Sequence, residues 1–519
     1  MNVRLTLITP QDYDPMSNTS YSQLENLFNR IYQLQHLASI GHWDMATMMP
    51  AGSSHARGEA LAEVSVIINE LISDTSTGDL IQNAQQQQSQ LSSWQQANLR
   101  EMHRLWLNAS SISSELVKAK ALAGSECEHA WRTLRADNNW QDFQPLLQKV
   151  IKLTIEESQQ RADAVSLSPY DALLNLYEPG QNSAAIDVIF AQLVEFLPDF
   201  IQQVVEQQAG DTVIKPAGPF PVEAQRELGL ALMKKIGFNF DQGRLDVSHH
   251  PFCGGVAEDV RITTRYAEDD FSESLMGVLH ETGHAKYEQG LPEDWLNQPV
   301  GSARGMGIHE SQSLFQEMQI ARGQPFLKFA APIIQHYLVN ELANEQTDSR
   351  CWSAENLYQL NNRVKADFIR VNADEVTYPL HVILRYDIEK LLINEKLSVS
   401  DLPEIWDAKM QQYLGLSTAG NYKDGCMQDI HWTDGSLGYF PTYTLGAMNA
   451  AQLYHAANKE IPDLSRQISN GEFTDLNQWQ KDKIWSQGSF YAIDDLMIYA
   501  TGEKLNPRYF IDHLKNRFM

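Results

Sequence analysis

The sequence predicts a mostly α-helical protein with one small β-sheet. Near its start, apolar residues recur every three or four positions, which is the spacing of one helix face: Leu24, Leu27, Ile31, Leu34 and Leu37. Strict β-branched alternation, in contrast, occurs convincingly in one segment only, residues 259–266. Long helices therefore dominate the predicted fold, and this segment supplies a strand.

Helical periodicity extends over two long parts of the chain. Residues 18–210 read as successive long helices, and the periodicity resumes from about residue 320 to the C-terminus. A glycine- and aromatic-rich segment at 425–446 interrupts the second part. We therefore expect an N-terminal helical part, residues 1–210, followed by residues 211–519, which carry the chemistry.

The breaks in this pattern are short and contain proline or glycine. They lie at Ser168-Pro169, at Tyr177 to Gly180, and at Lys215 to Pro219. Such residues mark turns, and none of the breaks has the length of a flexible linker. The chain also lacks internal repeats, so we expect a single domain over residues 1–519.

Composition excludes several classes of partner. The chain has 40 Lys and Arg against 66 Asp and Glu, a net charge of −26, which repels nucleic acid phosphates and anionic membranes. No stretch approaches the roughly 18 apolar residues of a membrane span, and the first fourteen residues lack a signal-peptide core. Four scattered cysteines indicate free thiols: Cys127, Cys253, Cys351 and Cys426. We expect a soluble, cytoplasmic protein.

The segment His-Glu-Thr-Gly-His at residues 280–284 predicts a metal site. Its two histidines, His280 and His284, are four residues apart and so lie on one helix face, where both imidazoles reach one ion. Glu281 stands beside them as the general base for a metal-activated water. The alternative is a helix with two surface histidines and a glutamate.

The surrounding residues predict that this motif lies well inside a helix. Asp270, followed three residues later by Glu273, resembles a capping box, and Gly290 is a plausible C-terminal stop. We therefore predict a helix over residues 271–289.

A catalytic zinc site of this kind needs a third protein ligand, and the longer pattern HExxHxxGxxH, which contains a third histidine, is absent. A second helix that begins in the segment from Gly305 carries Glu310, which lies 26 residues after His284, close enough along the chain for that helix to pack back. Its neighbour His309 is a rival ligand. We predict zinc held by His280, His284 and Glu310, with cobalt or manganese as possible substitutes.

A series of motifs in this chain resembles the carboxypeptidase Taq family of metallocarboxypeptidases. In chain order they are His42-Trp43-Asp44, His250-Pro251-Phe252, Asp259 to Thr263, His280 to His284, His309-Glu310-Ser311, Ile369 to Asp374, and Gly425 to Trp432. The resemblance extends over nearly the whole chain. It implies a mostly helical fold with a deep central groove, a homodimer, and stepwise removal of C-terminal residues from peptides. It also implies broad specificity, with proline disfavoured.

The resemblance also suggests groups that stabilise the oxyanion formed when water attacks the scissile carbonyl. His431 and Tyr443 are our first choices on the groove wall, and Tyr439 follows closely. The alternative for each is aromatic packing, with the tyrosine hydroxyls bonded to the backbone.

An exopeptidase must also recognise the free α-carboxylate, which arginine binds with two parallel hydrogen bonds. The resemblance to the family's motif makes Arg370 the leading candidate, and its structural alternative is an ion pair with Asp374 one turn on. Arg261 is a supporting candidate that could instead anchor its strand, and His250 either lines the pocket or is a structural residue. The strand 259–266, as a sheet edge, would pair with the peptide backbone.

Two other functions compete with this interpretation. A helical oligopeptidase or dipeptidyl carboxypeptidase would use the same zinc centre. A peptide-binding scaffold that has lost catalysis would not need Glu281, because that residue is not a metal ligand.

Overall fold

Long amphipathic helices form most of the protein in the computed structural model, which describes residues 19–339 and 348–519. Residues 1–14, from which we predict the lack of a signal peptide, lie outside the described part. The mostly helical class with a small sheet is confirmed. Among the described residues, no helix is both long and apolar enough to cross a membrane.

The described residues form twenty α-helices. The first nine are α1 Ser20–Thr47, α2 Ser54–Ser73, α3 Thr75–Gln86, α4 Ser93–Ser110, α5 Ser114–Ala136, α6 Trp140–Val165, α7 Pro169–Tyr177, α8 Ser183–Gln208 and α9 Val222–Ile236. After the sheet come α10 Phe271–Gln289, α11 Met306–Leu314, α12 Gln324–Leu338, α13 Ala354–Asn361, α14 Tyr378–Ile393, α15 Leu402–Leu414 and α16 Pro441–Glu460. The last four are α17 Leu464–Ser469, α18 Thr474–Lys483, α19 Ile493–Thr501 and α20 Arg508–Phe518.

The predicted breaks are turns between these helices. Ser168 caps α7 through its side chain and Pro169 is the first helical residue, where proline loses no hydrogen bond. The break at 177–180 separates α7 from α8, and that at 215–219 lies between α8 and α9. Residues 415–440 contain no α-helix, and the predicted irregular segment therefore ends earlier than expected, where α16 begins.

Helices α1–α4 form a small helical unit with its own apolar core, which includes Leu24 and Ile31 of α1. Leu37, predicted on the same buried face, is 67% exposed. The residues that α1 contributes to this core end at Ile31, and Leu37 lies beyond them. The main core runs from α5 to α20 and continues across residue 210.

The sheet has three strands in the order β1-β3-β2: β1 Gly243–Val247, β2 Phe252–Val256 and β3 Asp259–Thr264. β3 pairs in parallel with β1 and antiparallel with β2, so it is the central strand. Our expectation that it forms a sheet edge is wrong. The two flanking strands are short and contain glycine or charged residues, which hides their alternation in the sequence.

One face of the sheet supports the predicted metal helix. Val260 and Ile262 of β3 share a small apolar cluster with Val278 and Ala285 of α10. Burial of these side chains fixes which face of α10 turns away from the sheet, and that face carries the His-Glu-Thr-Gly-His motif.

Candidate active site

A deep groove of about 1740 Å³ runs between the α1–α4 unit and the rest of the protein. One wall, here called the metal wall, consists of α10, α11 and the π-helix Phe315–Ala321 that continues α11. A second wall, here called the opposite wall, consists of residues 369–378 and 428–443. The edge strand β2 and helix α1 also line the groove.

Helix α10 has the predicted bounds, Phe271–Gln289. Asp270 caps it by accepting a hydrogen bond from the Ser272 amide at 2.8 Å. The predicted capping box is not formed, because Glu273 pairs with Arg265 instead. Gly290 ends the helix as expected.

Close contact between α10 and α11 brings the third acidic residue to the two histidines. A Cβ atom at Gly283 would lie 2.4 Å from the Gln312 carbonyl oxygen, so the helices touch only because this residue is glycine. The ligand atoms of His280, His284 and Glu310 then all lie within 4.8 Å of one another. Two imidazoles and one carboxylate form a donor set that suits a catalytic divalent metal.

The rival ligand His309 faces elsewhere. Its Nε2 atom lies 2.8 Å from Glu288 Oε1, and its ring stacks on that of His284 with centroids 4.5 Å apart. The group of potential ligands in the described residues includes Glu310 and not His309.

Glu317 is a hydrogen-bond partner of His280 that the sequence analysis did not identify. Glu317 Oε2 lies 2.9 Å from His280 Nδ1, which leaves Nε2 free to bind a metal. Arg322 in turn donates to Glu317 Oε1 from Nη2 at 2.6 Å. Such a partner fixes the ring orientation of a ligand. The spacing of seven residues between Glu310 and Glu317, two helical turns, was the signal available.

Burial and neighbouring charges shift the pKa values of the site residues in different directions. Burial raises the pKa of Glu281 to about 7, against the opposing effect of His280. Burial also lowers the pKa of His284 to about 4. At His280 burial also lowers the pKa, but the carboxylates of Glu317 and Glu310 outweigh burial and raise the pKa to about 10. Glu281 is therefore a carboxylate poised to exchange a proton near neutral pH.

The opposite wall brings together the predicted oxyanion-stabilising residues. His431 Nε2 lies 3.2 Å from the Tyr443 hydroxyl, and the ring of Tyr439 packs 5.6 Å from that of His431. Burial, and then the charge of Arg370, lowers the pKa of His431 to about 4, so its imidazole is neutral. All three side chains line the groove.

Arg370 also lines the groove and is only 5% exposed. Its Nε donates to Asp429 at 3.0 Å and its Nη1 to the Tyr378 hydroxyl at 2.9 Å. The alternative ion pair with Asp374 is not formed, because that carboxylate accepts backbone amides, including that of Thr377 at 3.0 Å.

The two remaining candidates differ in position. Arg261 is not among the groove-lining residues; it pairs with its neighbour Asp259 through two bonds of 2.9 Å, which is the strand-anchoring alternative, and lies over the Trp43 ring at 4.3 Å. Its location on the central strand, facing α1, explains this difference. His250, in the turn between β1 and β2, lines the groove and is exposed.

Comparison with known proteins identifies the family. Residues 23–518 match the family described as carboxypeptidase Taq (M32) metallopeptidase. The chain is 34% identical to carboxypeptidase 1 of Bacillus subtilis over 507 residues, covering 96% of this chain and 98% of the relative. It is 35% identical to thermostable carboxypeptidase 1 of Thermus thermophilus, covering 96% and 99%.

Solved structures agree with this assignment. Trypanosoma cruzi metallocarboxypeptidase 1 superposes with a TM-score of 0.93 at 42% identity, covering 96% of this chain and 99% of that one. A Pyrococcus furiosus carboxypeptidase, described as Apo-Mg, gives a TM-score of 0.89 at 32% identity, covering 97% and 99%. The chain belongs to the carboxypeptidase Taq (M32) family and is a metallocarboxypeptidase, a hydrolase of peptide bonds.

Proposed function

We propose that this metallocarboxypeptidase uses zinc to release single residues from the C-termini of peptides, with broad specificity and with proline disfavoured. The observation that carries the proposal is the convergence of His280, His284 and Glu310 beside Glu281, in a groove that Arg370 also lines.

His280, His284 and Glu310 would hold the metal. Their partly buried, convergent donor atoms fit zinc, and cobalt or manganese would fit the same set. When bound, such an ion acts as a Lewis acid and makes water a nucleophile near neutral pH. Glu317 would keep His280 in a productive orientation through the 2.9 Å bond to its Nδ1.

Glu281 would move the protons of the reaction. It would accept a proton from the attacking water and pass it to the nitrogen of the departing residue. Its raised pKa, about 7, suits both transfers because neither the acid nor the carboxylate is strongly favoured at neutral pH.

Groups on the opposite wall would stabilise the oxyanion. The Tyr443 hydroxyl, bonded to His431, is a donor that can turn towards negative charge on the substrate oxygen. Tyr439 packs against Tyr443 with ring centroids 5.3 Å apart and is the second candidate.

Arg370 would bind the substrate α-carboxylate, and strand β2 would bind the extended backbone. β2 is the edge strand that lines the groove, so it takes the pairing role that we predicted for β3. Main-chain pairing ignores side-chain identity, which supports broad specificity. Proline lacks the N–H donor that such pairing uses, which is a reason for proline to be disfavoured.

We also propose that the protein acts as a homodimer in the cytoplasm. The family resemblance supports the dimer, and four free cysteines are compatible with a reducing compartment. Light scattering on an eluting peak at micromolar concentration would give twice the chain mass for a dimer.

The direct test is to incubate the purified protein with N-terminally blocked peptides and follow the products by mass spectrometry. The expected result is a ladder that loses one C-terminal residue at a time. The ladder should disappear with a chelator and return when zinc is added, and peptides with a C-terminal amide should resist cleavage.

Other outcomes select other functions. Dipeptide steps or internal fragments would identify the oligopeptidase type of enzyme. Intact peptides with metal-loaded protein would instead point to a binding scaffold. Metal analysis of the purified protein would contradict the zinc assignment if another divalent ion were bound in stoichiometric amount.

A further inference from the structure

A second guanidinium lies behind Arg370 and shares its carboxylate. Asp429 Oδ1 accepts from Arg370 Nε at 3.0 Å, and Oδ2 accepts from Arg385 Nε at 2.6 Å. Arg385 is fully buried, and the side chain of Asp429 is 6% exposed. Two cations and one anion in contact leave one uncompensated positive charge, and away from water such a charge acts strongly on its surroundings.

No other acid among the described residues forms an ion pair with Arg385. Glu389 lies one turn further along α14, but its carboxylate accepts from Tyr170, Trp432 and the Gly438 amide at 2.8–3.0 Å. On the preceding turn, neither ring nitrogen of His381 has a hydrogen-bond partner, and burial lowers its pKa to about 3. The neutral imidazole adds no charge and Glu389 acts on Arg385 only through space, so Asp429 is the one carboxylate among the described residues that pairs with either guanidinium.

Only the front of the cluster faces the groove. Arg370 and Asp429 line the groove, whereas Arg385 does not. Arg385 Nη1 donates to the His381 carbonyl oxygen at 2.7 Å, and its guanidinium lies 4.7 Å from the Trp406 ring centroid. In Arg370, Nε and Nη1 are engaged, so Nη2 is its one guanidinium nitrogen without a protein acceptor among the described residues.

We propose that Arg385 is a positioning residue that keeps Arg370 attractive to anions. By sharing Asp429 it prevents that carboxylate from neutralising Arg370 alone, and a substrate α-carboxylate then completes an alternating row of two cations and two anions. The inference rests on the proposed role of Arg370 as carboxylate receptor. Without Arg385, the substrate would approach a closed, neutral Arg370–Asp429 pair and meet repulsion from Asp429.

The experiment measures preference for a free carboxylate. The probe is an N-blocked dipeptide whose scissile amide is reduced to a methyleneamine, as the free acid and as the C-terminal amide. The ratio of their inhibition constants is measured for the wild type, Arg385→Met, Arg385→Lys and the double variant Arg385→Met/Asp429→Asn. A charge-assisted bond corresponds to about 10- to 100-fold preference for the acid in the wild type.

The expected pattern depends on charge and not on shape. Arg385→Met should reduce the acid preference about tenfold, and Arg385→Lys should keep it within about threefold. The double variant should restore it, because removing Asp429 as well returns the net charge to one. A packing role for Arg385 predicts the reverse, since a second truncation adds damage. Bound metal should be unchanged in every variant.

Failures of the two proposals are distinguishable. A wild type that binds acid and amide equally would remove Arg370 as receptor. A wild type with strong acid preference that persists in Arg385→Met would overturn the positioning role alone. If the Met variants do not fold, Asp429→Asn decides, because the charge model requires undiminished acid preference there and a loss would refute it.

Discussion

The two walls of the groove hold their functional groups by different means. On the metal wall, His280, Glu281 and His284 lie within one helix and Glu310 lies within the next, so regular helix geometry places all four. On the opposite wall, His431 lies between α15 and α16 in a stretch without α-helix. In that stretch, hydrogen bonds to buried carboxylates hold the chain in place, as backbone hydrogen bonds do within a helix.

Two acids hold the opposite wall in place. Glu389 of α14 accepts from Trp432 Nε1 at 2.8 Å and from the Gly438 amide at 2.9 Å, on either side of the segment that follows His431. Asp429, two residues before His431, accepts hydrogen bonds from Arg370 and Arg385 and so connects this stretch to both arginines. The comparison teaches that one half of a site can be set by local spacing, while the other half depends on buried charge from distant parts of the chain.

The largest expected effect concerns the general base on the metal wall. Glu281→Gln should lower kcat by about 10³-fold or more, because the amide cannot accept the proton of the attacking water. Metal content should stay at one ion per chain, since Glu281 is not a ligand. Single-turnover kinetics with metal analysis checks both, and a variant that loses its metal would assign Glu281 a structural role instead.

The next effect belongs to the opposite wall. Tyr443→Phe should lower kcat by about 10²-fold with little change in KM, because its hydroxyl acts chiefly in the transition state. The same measurement on Tyr439→Phe separates the two candidates. The control is Tyr177→Phe, because the Tyr177 ring packs edge-on against that of Tyr439 with centroids 5.0 Å apart. A larger loss in Tyr439→Phe than in Tyr443→Phe would exchange their roles.

A third effect tests the support of the metal wall. Glu317→Ala should weaken metal binding by about 10- to 100-fold, because His280 loses the partner that orients its ring. Titration of apo-protein with zinc in a metal buffer measures this. Glu288→Ala is the matched control, since it removes the partner of His309 at a similar distance, 2.8 Å, but touches no proposed ligand. Equal losses in both variants would contradict the prediction.

An effect of a different kind, on stability and not on catalysis or metal binding, is a change in stability with pH at Glu389. Burial raises its pKa from the ordinary 4.5 to about 7, so between these values the folded state binds more protons than the unfolded state. Stability should therefore fall as pH rises from about 4.5 to about 7, by about 3 kcal/mol in total from this group.

Denaturant unfolding at several pH values compares the wild type with Glu389→Gln. The variant keeps an acceptor but cannot titrate, so its stability should fall less over this window. Parallel curves for the two proteins would show that Glu389 contributes no such linkage.

Much of the metal wall follows from the sequence alone. The bounds of α10 were predicted to the residue, because the capping Asp270, the apolar face and the terminal Gly290 are local signals. The i, i+4 spacing determined that His280 and His284 share one face of that helix. The motif series from His42 to Trp432 also predicted the family, which the comparisons confirm.

Only the tertiary structure decided the partners of the buried charges. Arg370 pairs with Asp429, 59 residues away, and not with Asp374 one turn on. Likewise, tertiary structure places β3 at the centre of the sheet and Arg261 over the Trp43 ring. Periodicity reports which face of one element is buried, whereas an ion pair or a strand neighbour depends on which remote segment packs there. Which segments pack together depends on the contacts of the whole core and not on any single segment.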